Sequence, residues 1–534
     1  IMLFFIYRVG VHSMNGIRGK INKKMQSSNI LVKITDIYIF VLIVLFPLMV
    51  DKTGFFKILE YKYTCFVSIS TFYISAITLI YIYLVIKNRK KFLEKKLSIV
   101  QKLAIIFLSL NIVSCFISPF LKDHNLFVGV GRREGLITSC LYILTFLYIS
   151  YFGKFKKKYI LYFSISSILI NLIAILQFIG LNPFNMYQDG IGTHNVSFMT
   201  TIGNVDFISA LYTILLSVSF GAFVFLNNNW YENLIHLLSI LMGSFILEII
   251  DVSSGKFAFA IVLILLIPFI FKSNVRLSRF LKIMTMILIG IVINIILNVE
   301  YHYDLGKLGF YFQFNYIILL FFIVIIILYL LSQYVNNLEY KLNNSKTFIK
   351  NYYKLLVVFC LLGLMIIFLV PFKSGFLYEI HELLHFNFDD NFGTYRIFLW
   401  KRTIPLIKNY TLFGSGPDTF ALRFMPLYTD DITKIGPLTI NDTAANIYLT
   451  MLVNLGVVGT TSYVLFLISQ LIMGIKRMNN NSRVLLIAIM CYAIQSFFNL
   501  SVVIVSPIFW ILMGVHHLSI EVEKGVKNYE GKEK

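Results

Sequence analysis

Cationic side chains lie in short polar segments between long apolar runs, and their types suit phosphate binding. Arg132, Arg133 and Glu134 are consecutive, Lys256 follows Ser-Ser-Gly, and Arg396 lies in the first turn of a predicted amphipathic helix that begins near Thr394. A guanidinium offers paired N–H donors that fit a phosphate bidentately, whereas a Lys ammonium binds as a point charge. Arg132 and Arg133 therefore predict contact with a phosphate-bearing molecule, whereas a single Arg in a first helical turn, such as Arg396, is more often structural. The alternative is that Arg132 and Arg133 reach lipid phosphates or pair with Glu134.

A glycine-rich turn, Gly414-Ser415-Gly416-Pro417-Asp418, provides a second candidate site. Pro417 suits the first position of a helix, and glycines let a partner approach the backbone closely. Free N–H groups at a helix N-terminus favour an anion. Gly414 and Gly416 are therefore candidates for substrate binding, although an ordinary Gly-Pro turn would look the same.

A third polar segment, Asn441-Asp442-Thr443, supplies N-cap residues for a predicted helix that runs through Asn446 to Gly456. Asp442 and Asn446 are its candidate functional side chains.

These segments interrupt a chain whose composition is typical of a membrane protein. Of its 534 residues, 58% are hydrophobic and 14% charged, too few charges to cover a soluble protein of this length. Its apolar runs predict an all-α polytopic protein with about 14 membrane-spanning helices. The predicted spans are 35–50, 64–86, 98–121, 135–152, 159–180, 205–226, 233–250, 257–271, 280–299, 313–331, 355–372, 457–475, 484–500 and 502–520.

The net charge of +21 comes from short Lys/Arg tracts between the spans, which argues against nucleic-acid binding. Cytoplasmic loops are enriched in such tracts, so the termini and the basic loops are predicted inside and every alternate loop outside. The outer loops are then 122–134, 181–204, 251–256 and 373–456, and they contain all the candidate residues. No pair of the five cysteines has CxxC spacing, so no metal site is expected.

The chain divides accordingly into a cytoplasmic segment 1–34, a helix bundle 35–372, a large outer loop 373–456, further spans 457–520 and a cytoplasmic tail 521–534. The large outer loop carries acidic and basic residues in nearly equal number, unlike the basic inner loops. It is therefore predicted to fold into short helices that cap the bundle.

Several of these segments match a known family in their order along the chain. With these motifs the chain resembles the O-antigen ligase and polymerase family over most of its length. The motifs are Gly-Arg-x-Glu-Gly (131–135), Gly-Asn-x-Asp-Phe (203–207), Ser-Ser-Gly-Lys (253–256), Arg-x-x-x-Trp (396–400), Phe-Gly-x-Gly-Pro-x-x-Phe (413–420) and Asp-x-x-x-Asn-x-Tyr-Leu (442–449).

The resemblance implies a glycosyltransferase at the outer face of a bacterial cytoplasmic membrane, working without a metal or another cofactor in cell-surface polysaccharide assembly. It implies a polyprenyl-diphosphate-linked glycan as donor and a glycan, lipid or protein as acceptor. Preorganised cations would stabilise the departing diphosphate. The implied catalytic residues are Arg133, Arg396 and Asp442, and the implied diphosphate- or glycan-binding residues are Arg132, Glu134, Lys256, Gly414, Gly416 and Asn446.

One position departs from the family pattern. The family usually has a His immediately before the Asn of the last motif, where this chain has Ala445. If that His is the general base, Asp442, His194, His381 or His385 would have to replace it. A non-catalytic member that binds glycan-lipid is one alternative. A flippase is another, although the spans lack the paired charges and repeats expected of a transporter.

The predicted orientation can be tested by cysteine labelling in intact cells. Asp430→Cys should react with a membrane-impermeant thiol reagent because loop 373–456 is expected outside, and Leu93→Cys should not because loop 87–97 is expected inside. The reverse labelling would overturn the orientation.

Overall fold

The computed structural model describes residues 29–88, 96–187, 199–297, 299–302, 307–310, 316–338, 346–435 and 442–530. The helices are α1 Asn29–Leu48, α2 Ile58–Asn88, α3 Ile99–Phe116, α4 Leu136–Phe152, α5 Lys158–Phe178, α6 Val205–Phe225, α7 Trp230–Ile250, α8 Ser253–Ile270, α9 Asn274–Leu297, α10 Tyr316–Asn337, α11 Lys346–Leu369, α12 Gly375–Leu384, α13 Phe392–Ile407, α14 Phe420–Ile435, α15 Ile447–Lys476, α16 Asn480–Gln495 and α17 Ser506–Glu530.

Twelve helices of the described part are long and apolar enough to cross a membrane. The shorter apolar helix α4 and the largely enclosed α17 account for the two other predicted spans. This confirms the prediction of an all-α polytopic protein with about 14 spans. Two short strands, β1 Val299–His302 and β2 Lys307–Phe310, pair antiparallel between α9 and α10.

Helix α6 is the centre of the bundle and is enclosed along its whole apolar length. Small residues allow this, since a Cβ on Gly221 would lie 3.1 Å from Val484 Cα of α16. Hydroxyl contacts link the neighbouring helices: Ser219 lies 2.8 Å from Ser164 and 2.9 Å from Ser239. Close packing and interhelical hydrogen bonds are what hold helices together in lipid, where no hydrophobic force does so.

Helices α13 and α14 pack over the start of α15 through a small apolar cluster that includes Phe398, Phe424 and Val453. Arg402 holds the two helices together, with its guanidinium 2.9 Å from Asp390 and 3.0 Å from Asp431. The 373–456 loop therefore has packing and ion pairs of its own.

Several predicted helix boundaries in this loop are wrong. Helix α14 begins at Phe420, not at Pro417. Helix α13 includes Pro405 and has positive φ at Gly393, Thr394 and Tyr395 before its regular part. Asn446 caps α15, accepting a hydrogen bond from the Leu449 N–H at 3.1 Å.

Helix α15 then continues through Gly456 instead of ending there. Gly456 has φ +67°, and the next two amides, of Val457 and Val458, donate to the Thr411 and Leu412 carbonyls at 2.8 and 3.0 Å. These tertiary acceptors replace intrahelical ones, so the helix breaks and resumes.

Gly456→Ala should destabilise the protein. Its Cβ would lie 2.4 Å from the Gly414 nitrogen, and the backbone conformation, with φ +67° and ψ −173°, alone costs a side chain about 1–3 kcal/mol. The melting temperature in detergent measures the effect. Gly363→Ala in α11 is the control, because no atom lies within 4 Å of its Cβ. Equal melting temperatures would contradict this reading of the break.

Candidate functional site

A cavity of about 100 Å³ opens where the loops before α4, α14 and α15 meet the bundle. Arg132, Glu134 and Asp418 line its polar part, and aromatic side chains such as Tyr142 and Trp510 line the rest. An apolar cavity with a few convergent charged groups is typical of a ligand site.

Asp418 organises the 131–135 loop. Its carboxylate accepts backbone N–H bonds from Gly131 at 3.0 Å, Arg132 at 3.1 Å and Glu134 at 3.4 Å. Gly129 has φ +98°, and a Cβ there would lie 2.4 Å from the Asp418 carboxylate. Only glycine permits this approach, so the sequence Gly-x-Gly-Arg-Arg-Glu-Gly and Asp418 fit as one unit.

The loop directs Arg132 into a group of opposite charges. Its Nε lies 2.7 Å from Asp442 Oδ2, and its guanidinium lies over the Phe207 ring at 5.7 Å. Asp206, in the first turn of α6, interacts electrostatically with both Arg132 and Arg396. The electrostatic effects of two guanidinium groups from distant parts of the chain therefore meet at one carboxylate.

Glu134 is the carboxyl whose environment best suits proton transfer. The Tyr142 hydroxyl donates to Oε1 at 2.6 Å and the Ser501 hydroxyl to Oε2 at 2.7 Å. Burial raises the pKa of Glu134 to about 7, against the lowering effect of these hydrogen bonds. A group half-ionised near neutral pH can act as a general base.

The other carboxyl of the cavity, Asp418, is also perturbed. Burial raises the pKa of Asp418 to about 6, while its backbone N–H donors lower it. Because its oxygens hold the loop, Asp418 acts as a positioning residue.

Arg396 stands at the start of the regular part of α13. Its guanidinium donates to the Phe498 carbonyl at 3.0 and 3.2 Å and to the Gly393 carbonyl at 2.9 Å. Burial lowers its pKa, and Asp206 raises it. Trp400, one turn later, donates from Nε1 to the Ala444 carbonyl at 3.0 Å, which ties the Arg-x-x-x-Trp segment to the start of α15.

Two predicted phosphate-binding cations lie elsewhere. Arg133 has φ +59° and turns toward α2, where it pairs with Glu60 at 2.9 Å. Lys256 pairs with Glu248 at 3.0 Å and Asp251 at 3.3 Å beside a second cavity, between α6, α7, α8 and α9. The cavity that Arg132 lines therefore does not include Arg133 or Lys256 among its lining residues.

The glycine-rich turn at residues 414–416 also differs from the prediction. Gly414 donates to the Tyr410 carbonyl at 2.9 Å and Gly416 to the Asn454 carbonyl at 2.8 Å, so the prediction of free N–H groups here is wrong. A Cβ on Gly414 would lie 2.3 Å from the Asn454 backbone. These glycines permit close packing on α15, and Asn446 serves as its N-cap.

The histidine candidates do not line the cavity in the described part of the chain. His381 Nδ1 lies 2.7 Å from the Ile367 carbonyl, and His385 stacks on Phe368 at 4.3 Å. His194 lies outside the described residues. Ala445 has a left-handed φ of +47°. Among the described residues, no three His, Cys, Asp or Glu side chains are grouped to hold a metal.

The motifs did not reveal the positioning role of Asp418 or the electrostatic interaction of Asp206 with the two arginines. Asp418 and Asp206 both lie within the family motifs, in Gly-Pro-Asp and Gly-Asn-x-Asp. Their place in these motifs is the sequence signal that could have identified them. Glu134 was identified, but as a binding residue.

Comparison with known families supports the resemblance. Residues 305–464 match the family model described as O-antigen ligase, a segment that includes Arg396, Asp418 and Asp442. No curated protein matches the chain.

Asp418→Ala should destabilise the loop that carries Arg132 and Glu134. It leaves partly buried N–H groups without an acceptor, at a cost of about 1–3 kcal/mol. A lower melting temperature in detergent would report it. Asp123→Ala, an exposed aspartate of the same connection, is the matched control. Equal melting of the two variants would contradict the role of Asp418.

Proposed function

We propose, on the premise of the O-antigen ligase domain at residues 305–464, that this chain is a membrane glycosyltransferase of cell-surface polysaccharide assembly. Its donor is a polyprenyl-diphosphate-linked glycan, and its acceptor is a second glycan, a lipid or a protein. The reaction takes place at the outer face of the bacterial cytoplasmic membrane, as the positive-inside pattern predicts.

The observation that carries this proposal is the position of Arg132, which lines the cavity that contains Glu134 and lies 2.7 Å from Asp442. Arg396 is the second cation, since Asp206 interacts electrostatically with it and with Arg132. A diphosphate leaving group gains negative charge as its bond to the sugar breaks. Guanidinium groups held in place beforehand stabilise that charge without reorganising. Arg132 can exchange its contact with Asp442 for one with phosphate, because its side chain is 24% exposed.

The proposed reaction uses the guanidinium groups for the leaving diphosphate and the Glu134 carboxylate for the proton. The acceptor oxygen attacks the sugar carbon bonded to the diphosphate, the carbon–oxygen bond to the diphosphate breaks, and the diphosphate takes the electron pair. Glu134 takes the acceptor's proton, with Tyr142 and Ser501 holding its carboxylate. This base does not depend on position 445, so Ala445 is compatible with an active enzyme. Asp442, paired with Arg132, is the second candidate.

Lipid-linked glycan should accumulate on the outer leaflet of cells that lack the protein. Wild type should clear it and Arg132→Ala should not, because the leaving diphosphate loses a guanidinium. Arg133→Ala is the matched control: the adjacent arginine pairs with the half-exposed Glu60 outside the cavity, so it should clear the intermediate.

The location of the intermediate separates the alternatives. Accumulation on the inner leaflet would support a flippase, and no accumulation would support a non-catalytic binding protein. If the Arg132→Ala variant cleared the lipid-linked glycan and the Arg133→Ala variant did not, Arg133 and not Arg132 would be the residue that stabilises the diphosphate.

The transfer rate of purified protein should depend on the ionisation of Glu134. Because its pKa is about 7 and the base must be deprotonated, kcat/KM should rise with pH and reach half its plateau near pH 7. Glu134→Gln should lower the rate by about 10²–10⁴-fold and remove this rise. Glu60→Gln, as control, should keep both. An unchanged profile in Glu134→Gln would exclude Glu134 as the base.

A further inference from the structure

Four basic side chains gather at the end of the bundle opposite the cavity: Lys272, Arg276, Arg279 and Arg483. They lie where α6 and α8 end and where α9 and α16 begin. Helix α6 has Asp206 in its first turn beside the cavity and Phe225 as its last residue. At 1.5 Å per residue the two ends are about 30 Å apart, so this basic cluster is separate from the proposed active site.

Two aromatic rings hold the cluster together. The guanidinium carbons of Arg276 and Arg483 lie 5.4 and 5.1 Å from the centre of the Phe225 ring. Arg483 also lies 5.8 Å from Phe269, over which Lys272 lies at 5.4 Å. Cation–π contacts attract cations without neutralising their charge. The rings therefore fix like charges close together instead of letting them separate.

The remaining contacts of the arginines are with neutral acceptors. Arg279 donates to the carbonyls of Phe223 and Leu226 at 3.3 and 2.6 Å. Arg276 donates to a backbone carbonyl at 3.5 Å, and Arg483 donates to Asn480 Oδ1 at 3.1 Å. Within the described residues, no carboxylate forms an ion pair with any member of the cluster. Burial and the charges of Arg483 and Arg276 lower the pKa of Lys272.

Capping of helix C-termini explains why single basic residues lie at this end of the bundle, but not why four of them lie close together. A cation near a helix C-terminus is favourable, and Arg276 and Arg279 benefit from this. Each guanidinium has five N–H donors, and these caps use only one nitrogen of each. Four half-buried positive charges repel one another, and a bound anion would offset this repulsion. Guanidinium groups and an ammonium are the groups that bind phosphate best.

We propose that the basic cluster binds the phosphate headgroup of an anionic phospholipid. The surroundings favour a lipid over a soluble phosphate, because exposed apolar side chains flank the cations. Phe271 is 39% exposed and Val275 is 46% exposed, and both are next to cluster members in the chain. Acyl chains lie against these residues while the headgroup contacts the cations. The site is independent of the proposed transferase activity.

Native mass spectrometry of the detergent-purified full chain tests this proposal, with phosphatidylglycerol and phosphatidylcholine as probes. Phosphatidylglycerol should bind in preference. Arg276→Ala should weaken its binding about tenfold or more, because one charge-assisted contact is lost. Lys272→Ala should also weaken binding and is the second variant, because Lys272 contacts the Phe269 ring and its loss leaves the carbonyl contacts of Arg276 and Arg279 in place.

Arg477→Ala is the matched control, an arginine at the same end of the bundle that contacts no cluster member in the described residues. It should bind phosphatidylglycerol like wild type, and melting temperatures without lipid verify that the variants fold. Equal binding of both lipids, or equal weakening in Arg477→Ala, would overturn the site. Displacement of phosphatidylglycerol by inorganic phosphate at constant ionic strength would overturn its assignment to a lipid.

Discussion

The proposed active site depends on one carboxylate that satisfies the backbone of another loop. Partly buried N–H groups need acceptors, and Asp418 supplies them for Gly131, Arg132 and Glu134. The consequence is that a flexible glycine-rich segment has a single conformation. That conformation directs Arg132 toward Asp442 and Glu134 toward Tyr142 and Ser501. Cation and base thus reach the same cavity from neighbouring positions in the chain.

The charged groups at the cavity have different environments. Arg132 lies 2.7 Å from Asp442, and Asp206 interacts electrostatically with Arg132 and Arg396. Glu134 has hydroxyl partners, and burial raises its pKa to about 7. These environments suit the guanidinium groups to charge stabilisation and Glu134 to proton transfer.

The sequence predicted what depends on local composition, and it failed where tertiary contacts decide. Apolar length is a property of each segment, so the spans and the family motifs could be identified. Whether Arg132 or Arg133 faces the cavity depends on a positive φ at Arg133 that no pattern reveals. Lys256 was expected to be available for a substrate, yet Glu248, in the last turn of α7, pairs with it. Gly414 and Gly416 carried the correct signal of close approach, but the partners are protein groups, the α15 backbone for Gly414 and Ser118 for Gly416.

The most direct test is an experimental structure of the protein with a bound polyprenyl diphosphate. Phosphate density should lie within hydrogen-bonding distance of the guanidinium groups of Arg132 and Arg396, with Glu134 facing the sugar end of the diphosphate. Density beside Arg133, or beside Lys256 in the cavity between α6, α7, α8 and α9, would contradict this placement of the diphosphate.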